Sequence, residues 1–411
     1  MHTQNKRVAY LAPELPSLSA TFVTNEIWAL EAMGVEIHPY SIHPPQHKAH
    51  GQEAADLAAR TPVVYEQSLK RNLLDLGWAM IHHKRSMAKT VIQLIGDIFK
   101  TGIIRLDSFK LFYQFIHSAW LSRDLRRKNI EHLHIHFAHV PTQIGMYAAA
   151  LAGIPFSFMA HANDIFERPL LIKEKIKRSH RTISISSFNI DIMARYGGDV
   201  QNIEIVRCGV DSAGEMEPTK IKSEPQPFII GTLGRLVEKK GIDTLIQAAQ
   251  ILQEQKFNFE IQIAGDGPLL DQLTKQVEAA ELTDQINFLG SMPHTDALAW
   301  MKTLDVFVLA GKKDSNGDMD GIPVVLMEAM NFGIPVISTR LSGIPELVIH
   351  QETGLLCDPE HPDQLADALV ELSKSDILKQ SLSAAAKQHI VNEFDQKINA
   401  KRLLTIINKP A

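Results

Sequence analysis

Residues 317–330 combine an acidic loop with one carboxylate that interrupts an apolar run. Glu328 stands within Val-Val-Leu-Met-Glu-Ala-Met at residues 324–330. An unpartnered buried carboxylate is costly, so Glu328 is expected to hydrogen-bond a polar group. Pro323 at the first helical position and Gly333 after the last predict a helix, whose N-terminus suits a phosphate. Helical spacing directs the Glu328 carboxylate toward the helix N-terminus, and a carboxylate beside an anion site suits a ribose and its phosphates. The alternative is an ion pair between Glu328 and an arginine across an interdomain face.

Two cations stand five positions apart in a predicted strand-to-helix loop at residues 234–241, Gly-Arg-Leu-Val-Glu-Lys-Lys-Gly. Arg235 and Lys240 could together neutralise a diphosphate leaving group without a metal ion. Solvated loop charges are the alternative. The diphosphate interpretation is favoured because the helix of Glu328 follows a later strand of the same predicted sheet.

The tripeptide at residues 318–320, Asp-Met-Asp, spells the Asp-x-Asp pattern of metal-dependent transferases. The loop also matches the start of a calcium-binding hand, but the twelfth position is Met327 instead of a carboxylate. We predict no metal in this site, because two cations and a helix N-terminus already offset most of a diphosphate charge. Asp320 then accepts from sugar hydroxyls, and Asp318 is predicted to be a solvated loop residue.

Histidines mark two predicted strands in the first half of the chain. His161 directly follows the strand at residues 156–160, at the edge where parallel sheets place chemistry, although a structural role remains open. The strand at residues 132–137 carries histidines at positions 132, 134 and 136 on one face, which could chelate zinc. No acidic or cysteine ligand accompanies them in the sequence, so the pattern favours a structural role.

The elements that position these residues repeat one pattern twice. Strands at 7–12, 35–42, 132–137 and 156–160 alternate with helices in the first half, and strands at 228–233, 259–264, 286–289, 306–310 and 335–339 do so in the second. This alternation predicts an α/β fold of two doubly wound, Rossmann-like domains. We predict a first domain over residues 1–215, a linker at 216–227, a second domain over 228–385, and a C-terminal helix at 386–411 that packs back on the first domain.

Residues 68–128 differ in composition from the rest of the chain. They hold twelve lysines and arginines against four aspartates, interleaved with large apolar residues at helical spacing. Such basic amphipathic helices are typical of proteins that lie on anionic membranes. The alternative is that their apolar stripes only pack against the sheet.

The composition excludes several classes of protein. A chain of 411 residues is long enough for two domains. Its content of hydrophobic residues, 45%, and of charged residues, 22%, is ordinary for a globular protein. A net charge of −5 gives no general attraction to nucleic acid. No signal peptide or membrane-spanning run is predicted, and Cys208 and Cys357 are expected to be buried thiols of a reduced cytosol. Gly265-Asp266-Gly267 follows the second strand of its domain and lacks the third glycine, which argues against a dinucleotide-binding oxidoreductase.

The second half resembles the nucleotide-sugar domain of family 4 retaining glycosyltransferases, whose GT-B fold has two Rossmann-like domains facing each other across a cleft. The resemblance covers residues 228–360. It is carried by Gly234-Arg235-x4-Lys240-Gly241, Ala264-Gly265-Asp266-Gly267-Pro268, Phe288-Leu289-Gly290, Asp320 with Glu328 after a gap of seven residues, Ser342-Gly343-Ile344-Pro345-Glu346 and Thr353-Gly354-Leu355-Leu356.

The resemblance implies roles for the matching positions. The implied catalytic residues are His161 near the reacting centre, Arg235 and Lys240 on the diphosphate, and Asp320 on the donor sugar. The implied nucleotide-sugar-binding residues are Gly234, Arg235, Lys240, Gly265, Gly290, Asp320, Gly321, Ile322, Val324, Val325 and Glu328. No metal or cofactor is implied, and the donor is a UDP- or GDP-sugar. Asp320 stands where the family commonly has Glu, which leaves the donor sugar open.

The first half is similar to the subgroup that builds bacterial exopolysaccharides of the colanic acid and amylovoran type. The matching motifs are Thr21-Phe22-x2-Asn25-Glu26, His136-Phe137-Ala138-His139 and Ala160-His161-Ala162-x-Asp164-Ile165-Phe166. The resemblance implies a hexosyltransferase that acts with retention on a glycan or lipid-linked acceptor, in the cytoplasm or on the inner face of the membrane, without nucleic acid. A non-catalytic sugar- or nucleotide-binding protein on the same fold is the alternative.

Overall fold

The computed structural model describes residues 6–17, 20–45, 51–167, 169–201, 203–213 and 226–409. The chain divides into two compact units. The first comprises Met1–Val206 and Asn399–Ala411, and the second comprises Arg207–Ile398. Most of the predicted linker, residues 216–225, lies outside the described residues.

The first unit is built on a six-stranded parallel sheet with the order β2-β1-β3-β4-β5-β6. Its strands are β1 Arg7–Glu14, β2 Glu36–His43, β3 His132–His136, β4 Phe156–Ala160, β5 Arg181–Ser184 and β6 Ile203–Ile205. Its helices are α1 Thr21–Ala32, α2 Gln52–Ala59, α3 Leu69–His82, α4 Lys84–Thr101, α5 Leu106–Arg127, α6 Val140–Ala152, α7 Asn163–Phe166, α8 Ile172–Arg178 and α9 Ser187–Arg195.

The second unit is also built on six parallel strands, in the order β12-β11-β10-β7-β8-β9. They are β7 Phe228–Leu233, β8 Phe259–Ala264, β9 Ile286–Gly290, β10 Val306–Leu309, β11 Val336–Thr339 and β12 Leu355–Cys357. The helices are α10 Ile242–Glu254, α11 Leu270–Ala279, α12 His294–Met301, α13 Val324–Asn331, α14 Ile344–Leu347, α15 Pro362–Ser373, α16 Asp376–Glu393 and α17 Gln396–Asn408, with a 3-10 turn at Glu238–Lys240. Chain order reverses between β7 and β10, and such a switch point opens a crevice at the carboxyl ends of the strands.

Alternation along the strands separates the packed faces of each sheet. In β10, Val306 and Val308 join a cluster with α10 and α15, whereas Phe307 and Leu309 join one with α13 and α16. In the first unit, one face of β3 packs into the hydrophobic core, and the other carries buried histidines.

The C-terminal segment differs from the single helix that the sequence predicts. The helix breaks at Phe394 and Asp395, where the Asp395 carboxylate accepts from the amide of Ile398 and so starts α17. α16 packs in the second unit, with Ala386 and Ile390 in its core. α17 crosses into the first unit, where the Ile407 carbonyl accepts from Lys6. The predicted boundary at residue 385 therefore lies inside α16, and the change of unit comes after Ile398.

The basic region forms α3, α4 and α5, and each of these helices has two apolar faces. Met87, Leu94, Leu111 and Phe115 are among the residues that pack into the core of the first unit. In the described part of the chain, nineteen large hydrophobic residues are exposed, and fourteen of them lie between positions 69 and 113. They are Leu69, Leu73, Leu74, Met80, Ile81, Ile92, Ile95, Phe99, Ile103, Ile104, Leu106, Phe109, Phe112 and Tyr113. Core packing thus accounts for one stripe only. Within the described ranges, no helix is long and apolar enough to cross a bilayer.

Neither Cys208 nor Cys357 forms a disulfide bond. Cys357 is buried, and burial raises the pKa of its thiol to about 12. Cys208 is only half-buried, which corrects the expectation that both thiols are buried.

Candidate active site

The two chemically distinctive loops of the second unit meet at its switch point. The loop after β7 carries Arg235 and Lys240, and the loop after β10 carries Asp318 and Asp320. The amide of Lys312 donates to the carbonyl of Lys239 at 3.0 Å, which joins the two loops through their backbones. The strand order thus brings together residues that are about eighty positions apart in the chain.

Four charged side chains form a compact ion-pair cluster between these loops. Lys240 Nζ lies 2.6 Å from Asp320 Oδ2. Lys239 Nζ lies 2.7 Å from Asp318 Oδ2 and 3.5 Å from Asp320 Oδ1. Burial alone would raise the pKa of Asp320, but the two ammonium groups outweigh burial and hold the pKa below its usual value. Asp320 therefore stays ionised between the two lysines.

The cluster corrects the prediction for Asp318. The sequence predicts a solvated loop residue, whereas its side chain is only 17% exposed and is paired with Lys239. Its second carboxylate oxygen accepts from the amide of Met319. Arg235 is exposed and, within the described part of the chain, has no ion-pair partner.

α13 presents its N-terminus beside this cluster. The sequence predicts Pro323 as the first helical residue. In the structure the helix begins at Val324, and Pro323 is its N-cap residue. No side chain caps the end. Among the described residues, the amides of Val324 and Val325 have no hydrogen-bond acceptor, as expected for the first turn of a helix. Such amides and the positive end of the helix dipole can bind an anion.

Glu328 has a partner that the sequence analysis missed. Its Oε1 atom lies 2.8 Å from Nε2 of His294, the first residue of α12. The Glu328 side chain is 17% exposed and that of His294 is 65% exposed. The hydrogen bond that His294 donates to Glu328 is the main reason that the pKa of His294 is raised. Within the second unit the partner of Glu328 is a histidine, and the arginine alternative across an interdomain face stays a prediction.

Three of the predicted glycines lie at the ends of adjacent strands: Gly234 and Gly265 directly follow β7 and β8, and Gly290 is the last residue of β9. Gly265 has φ 128°, and a Cβ atom there would lie 1.9 Å from the carbonyl oxygen of Gly234. The amide of Gly265 donates to the carbonyl of Gly290 at 2.8 Å. Close backbone packing therefore explains Gly265 without a ligand. All predicted site residues except His161 belong to the second unit.

His161 follows β4 in the first unit and belongs to a buried chain of polar side chains. His161 Nε2 lies 3.1 Å from His136 Nδ1, and His136 Nε2 lies 3.0 Å from Oε1 of Glu26 on α1. Tyr10 Oη also donates to Glu26 at 2.8 Å. Burial, reinforced by repulsion from His136 and His139, holds the pKa of His161 well below its usual value, so the imidazole is neutral. In the His136 tautomer that donates its Nε2–H to Glu26, the Nδ1 atom accepts from the Nε2–H of His161.

The same cluster changes the assessment of the strand histidines. The ligand atoms of Glu26, His134 and His136 all lie within 4.8 Å of one another. The sequence shows no acidic ligand near these histidines, because Glu26 comes from α1, 110 positions before His136. His132 is not part of this group, and its Nε2 atom lies 2.7 Å from the hydroxyl of Ser157. Burial lowers the pKa of His132 to about 3.

Two family models match the chain in succession. The model "Glycosyltransferase Family 4" matches residues 19–213, and "Glycosyl transferases group 1" matches residues 215–389. Among curated proteins, the chain is 26% identical over 431 residues to the putative colanic acid biosynthesis glycosyltransferase WcaL of Escherichia coli K12, covering 98% of this chain and 99% of that protein. It is 32% identical over 260 residues to the amylovoran biosynthesis glycosyltransferase AmsK of Erwinia amylovora, covering 61% of this chain and 63% of that protein.

Solved structures share the fold at low sequence identity. Anabaena HepE in complex with UDP superposes with a TM-score of 0.70 at 14% identity, covering 97% of this chain and 98% of HepE. Sucrose-phosphate synthase from Thermosynechococcus elongatus gives a TM-score of 0.72 at 15% identity, with 98% of each chain covered. The chain is thus a hexosyltransferase of the family 4 type with the two-domain GT-B fold, and it belongs with the glycosyltransferases of exopolysaccharide biosynthesis.

Proposed function

We propose that the enzyme transfers a hexose, with retention, from a UDP- or GDP-sugar to a glycan or lipid-linked acceptor. The observation that carries this proposal is the meeting of Arg235, the Lys240–Asp320 pair and the α13 N-terminus at one switch point. These groups suit a departing diphosphate, and Glu328 suits the ribose beside it. HepE, which shares the fold, is solved with UDP-glucose.

A thermal-shift panel of UDP- and GDP-sugars tests the donor assignment, because a bound donor stabilises the folded protein by mass action. We expect one nucleotide to raise the melting temperature and its sugar to be transferred with retained anomeric configuration. A non-catalytic binding protein would show the shift without transfer. Absence of a shift with every donor would contradict the proposal.

Transfer is proposed to need no divalent metal. Each carboxylate of the Asp318-Met319-Asp320 motif already has a lysine ammonium, so a cation would have to displace Lys239 or Lys240. We predict full activity after exhaustive chelation with purified donor and acceptor. Loss of activity that magnesium or manganese restores would make Asp320 a metal ligand.

Glu26 is predicted to support transfer through His136 and His161. Replacement Glu26→Ala removes a charge-assisted hydrogen bond, worth about 1.5–3 kcal/mol, and should lower kcat about tenfold or more. Nucleotide affinity should not change, because the donor residues belong to the other unit. Glu31→Ala on the same helix, where the side chain pairs with Arg60, is the matched control and should keep kcat. An unchanged kcat in folded Glu26→Ala would remove this role.

The exposed apolar face of α3–α5 is proposed to dock on the inner face of the cytoplasmic membrane. Anionic headgroups attract nearby lysines and arginines by about 1 kcal/mol each, and the exposed apolar side chains can insert between the lipids. We predict that the protein sediments with anionic vesicles at low salt, less with neutral ones, and that high salt releases it.

Charge reversal localises this membrane contact. Lys84→Glu with Lys89→Glu should weaken sedimentation, whereas Lys275→Glu with Lys374→Glu, which reverses two exposed lysines of the second unit, should not. Equal sedimentation of both double variants would place the contact elsewhere. No sedimentation of the wild type at low salt would contradict the proposal.

A further inference from the structure

A buried cluster in the first unit has the ligand set of a metal site. Glu26 lies on α1, and His134 and His136 lie on one face of β3. The metal-binding atoms of these three side chains all lie within 4.8 Å of one another. Two imidazoles and one carboxylate form a ligand set that holds zinc in proteins. Glu26 thus supplies the acidic ligand that the sequence pattern of β3 lacks.

The distances between the ligand atoms fit a single small ion. Oε1 of Glu26 lies 3.0 Å from Nε2 of His136 and 3.8 Å from Nε2 of His134. Ligand atoms that lie 2.0–2.1 Å from a tetrahedral zinc ion are separated from one another by about 3.3 Å. The two observed distances bracket this separation. A small shift of the Glu26 carboxylate is therefore enough to bring both imidazoles to one ion.

His134 provides a second observation that points to a ligand. Its side chain is completely buried, and within the described ranges its Nε2 atom has no hydrogen-bond partner. Burial, reinforced by repulsion from neighbouring histidines, holds the pKa of His134 well below its usual value, so the ring is neutral. Buried polar atoms are rarely left without a partner, and neutral imidazole is the form that binds metals. A cation between His134 and Glu26 would satisfy this nitrogen.

All three ligands are oriented by neighbouring side chains, as metal ligands usually are. Nδ1 of His134 lies 2.8 Å from Oγ of Ser157, and Nδ1 of His136 lies 3.1 Å from Nε2 of His161. Tyr10 donates to Oε1 of Glu26 at 2.8 Å. The Glu26 side chain is 13% exposed, whereas both histidines are completely buried. An ion would therefore enter beside the carboxylate.

We propose that Glu26, His134 and His136 form a zinc-binding site in the first unit, separate from the donor loops of the second unit. The ion is bound by Nε2 of both histidines and by the Glu26 carboxylate, with a fourth position for water. Zinc replaces the hydrogen bond between His136 and Glu26. The His136 ring then carries its proton on Nδ1 and donates it to Nε2 of His161, so the hydrogen bond between these rings reverses direction.

Zinc is expected to oppose transfer, because the ion occupies the two atoms through which Glu26 supports His161. This consequence rests on the proposed function, whereas the zinc site itself does not. It is consistent with the prediction that exhaustive chelation leaves full activity.

Isothermal titration of the metal-free full chain with zinc chloride, without donor or acceptor, tests the site. We expect one tight site whose affinity falls at least about a hundredfold in His134→Gln, since loss of a group that only orients a ligand already costs about ten- to a hundredfold. His132→Gln is the matched control, because His132 is buried on the same strand but lies outside the group. It should keep zinc affinity within about threefold, since it contacts the ligands only through Ser157. Equal zinc affinity in His134→Gln and the wild type would overturn the proposal.

Two further arms test the site without His134→Gln. Glu26→Gln, at a partly exposed position, removes the carboxylate and should also lower zinc affinity about a hundredfold. Normal zinc affinity in folded Glu26→Gln would contradict the site. Magnesium chloride should give no binding at the same concentrations, because magnesium prefers oxygen ligands to imidazole. Displacement of zinc by magnesium would indicate a surface carboxylate site and would overturn the assignment.

Steady-state kinetics test the competition. Zinc should lower kcat of the wild type about tenfold, the loss predicted for Glu26→Ala, and should leave kcat of His134→Gln at its own zinc-free value. Equal inhibition of both proteins would contradict competition at this site. Zinc binding is measured without donor, so a failed donor panel with intact zinc binding would refute the transfer proposal and leave the metal site standing.

Discussion

Lys240→Ala is expected to lower kcat by about 10²–10³, the usual loss when one group that stabilises developing negative charge is removed. Negative charge on the bridging oxygen of the diphosphate grows toward the transition state. Lys240 should therefore act on kcat more than on KM. Steady-state kinetics with varied donor measure the two constants.

The 2.6 Å contact between Lys240 and Asp320 offers a second explanation for a loss of kcat in Lys240→Ala. Lys240 could act only by holding the Asp320 carboxylate. A double-mutant cycle with Asp320→Asn distinguishes the cases, because effects that run through the pair are not additive. Independent contacts with diphosphate and sugar predict that the two losses in kcat multiply.

The exposed Lys313 in the same acidic loop provides the control. Lys313→Ala removes a positive charge near the cluster and should leave kcat within about twofold, since exposed charges contribute little. If Lys240→Ala changed only KM, the ammonium would merely hold the ground state. If Lys313→Ala lost as much kcat, the effect would reflect net charge and not position.

The sequence predicts the two candidate donor-binding loops from local features. Glu328 is conspicuous inside an apolar helix, and Arg235 and Lys240 stand five positions apart in a glycine-bounded loop between a strand and a helix. The spacing of apolar residues and the local composition also predict the alternation of strands and helices in both units. Such signals are local in the chain, so a single sequence carries them.

Partners between distant segments could not be predicted in this way. The contacts of Lys239 with Asp318, of His294 with Glu328 and of Glu26 with His136 span 79, 34 and 110 positions. The contacts in the second unit depend on the strand order, which brings the loops after β7 and β10 together. The contact of Glu26 depends on the position of α1 beside the histidines of β3. No spacing rule connects such pairs. An exposed histidine after a proline, like His294, carries no pattern of its own.

Short elements were missed for a different reason. β5 has four residues, Arg-Thr-Ile-Ser, and its polar residues resemble a loop. Its place in the sheet comes from pairing with β4 and β6 on either side. The break before α17 depends on the side chain of Asp395, which competes with the helix by capping the next one. Tertiary pairing and capping thus decide where local propensity is weak.

Glu328→Ala is expected to weaken nucleotide affinity about tenfold to more than a hundredfold while the fold survives. A hydrogen bond from a ribose hydroxyl to a carboxylate is worth roughly 1.5–3 kcal/mol, which corresponds to that range. Isothermal titration with the nucleotide of the preferred donor measures the loss. Thermal unfolding without nucleotide checks the fold. Unchanged affinity in the folded variant would contradict a ribose contact.

The bond to His294 supplies both the rival explanation and the control. If Glu328 only anchored α12 through His294, then His294→Ala would lose as much affinity as Glu328→Ala. A direct ribose contact predicts a much smaller loss in His294→Ala, whose imidazole is largely exposed. The two variants differ in one side of a single hydrogen bond, so their comparison isolates the carboxylate.

The pH dependence separates the two roles further. The pKa of His294 is raised in the folded protein, chiefly by its hydrogen bond to Glu328. Stability that arises from this pair is therefore fully present below the unfolded pKa and is lost as the pH rises through the folded pKa. The difference in melting temperature between wild type and Glu328→Ala should shrink over that rise. The difference in nucleotide affinity between wild type and Glu328→Ala should persist above the folded pKa of His294, because the ribose hydroxyls do not titrate in that range. If this affinity difference vanished when His294 is deprotonated, the effect would belong to the histidine.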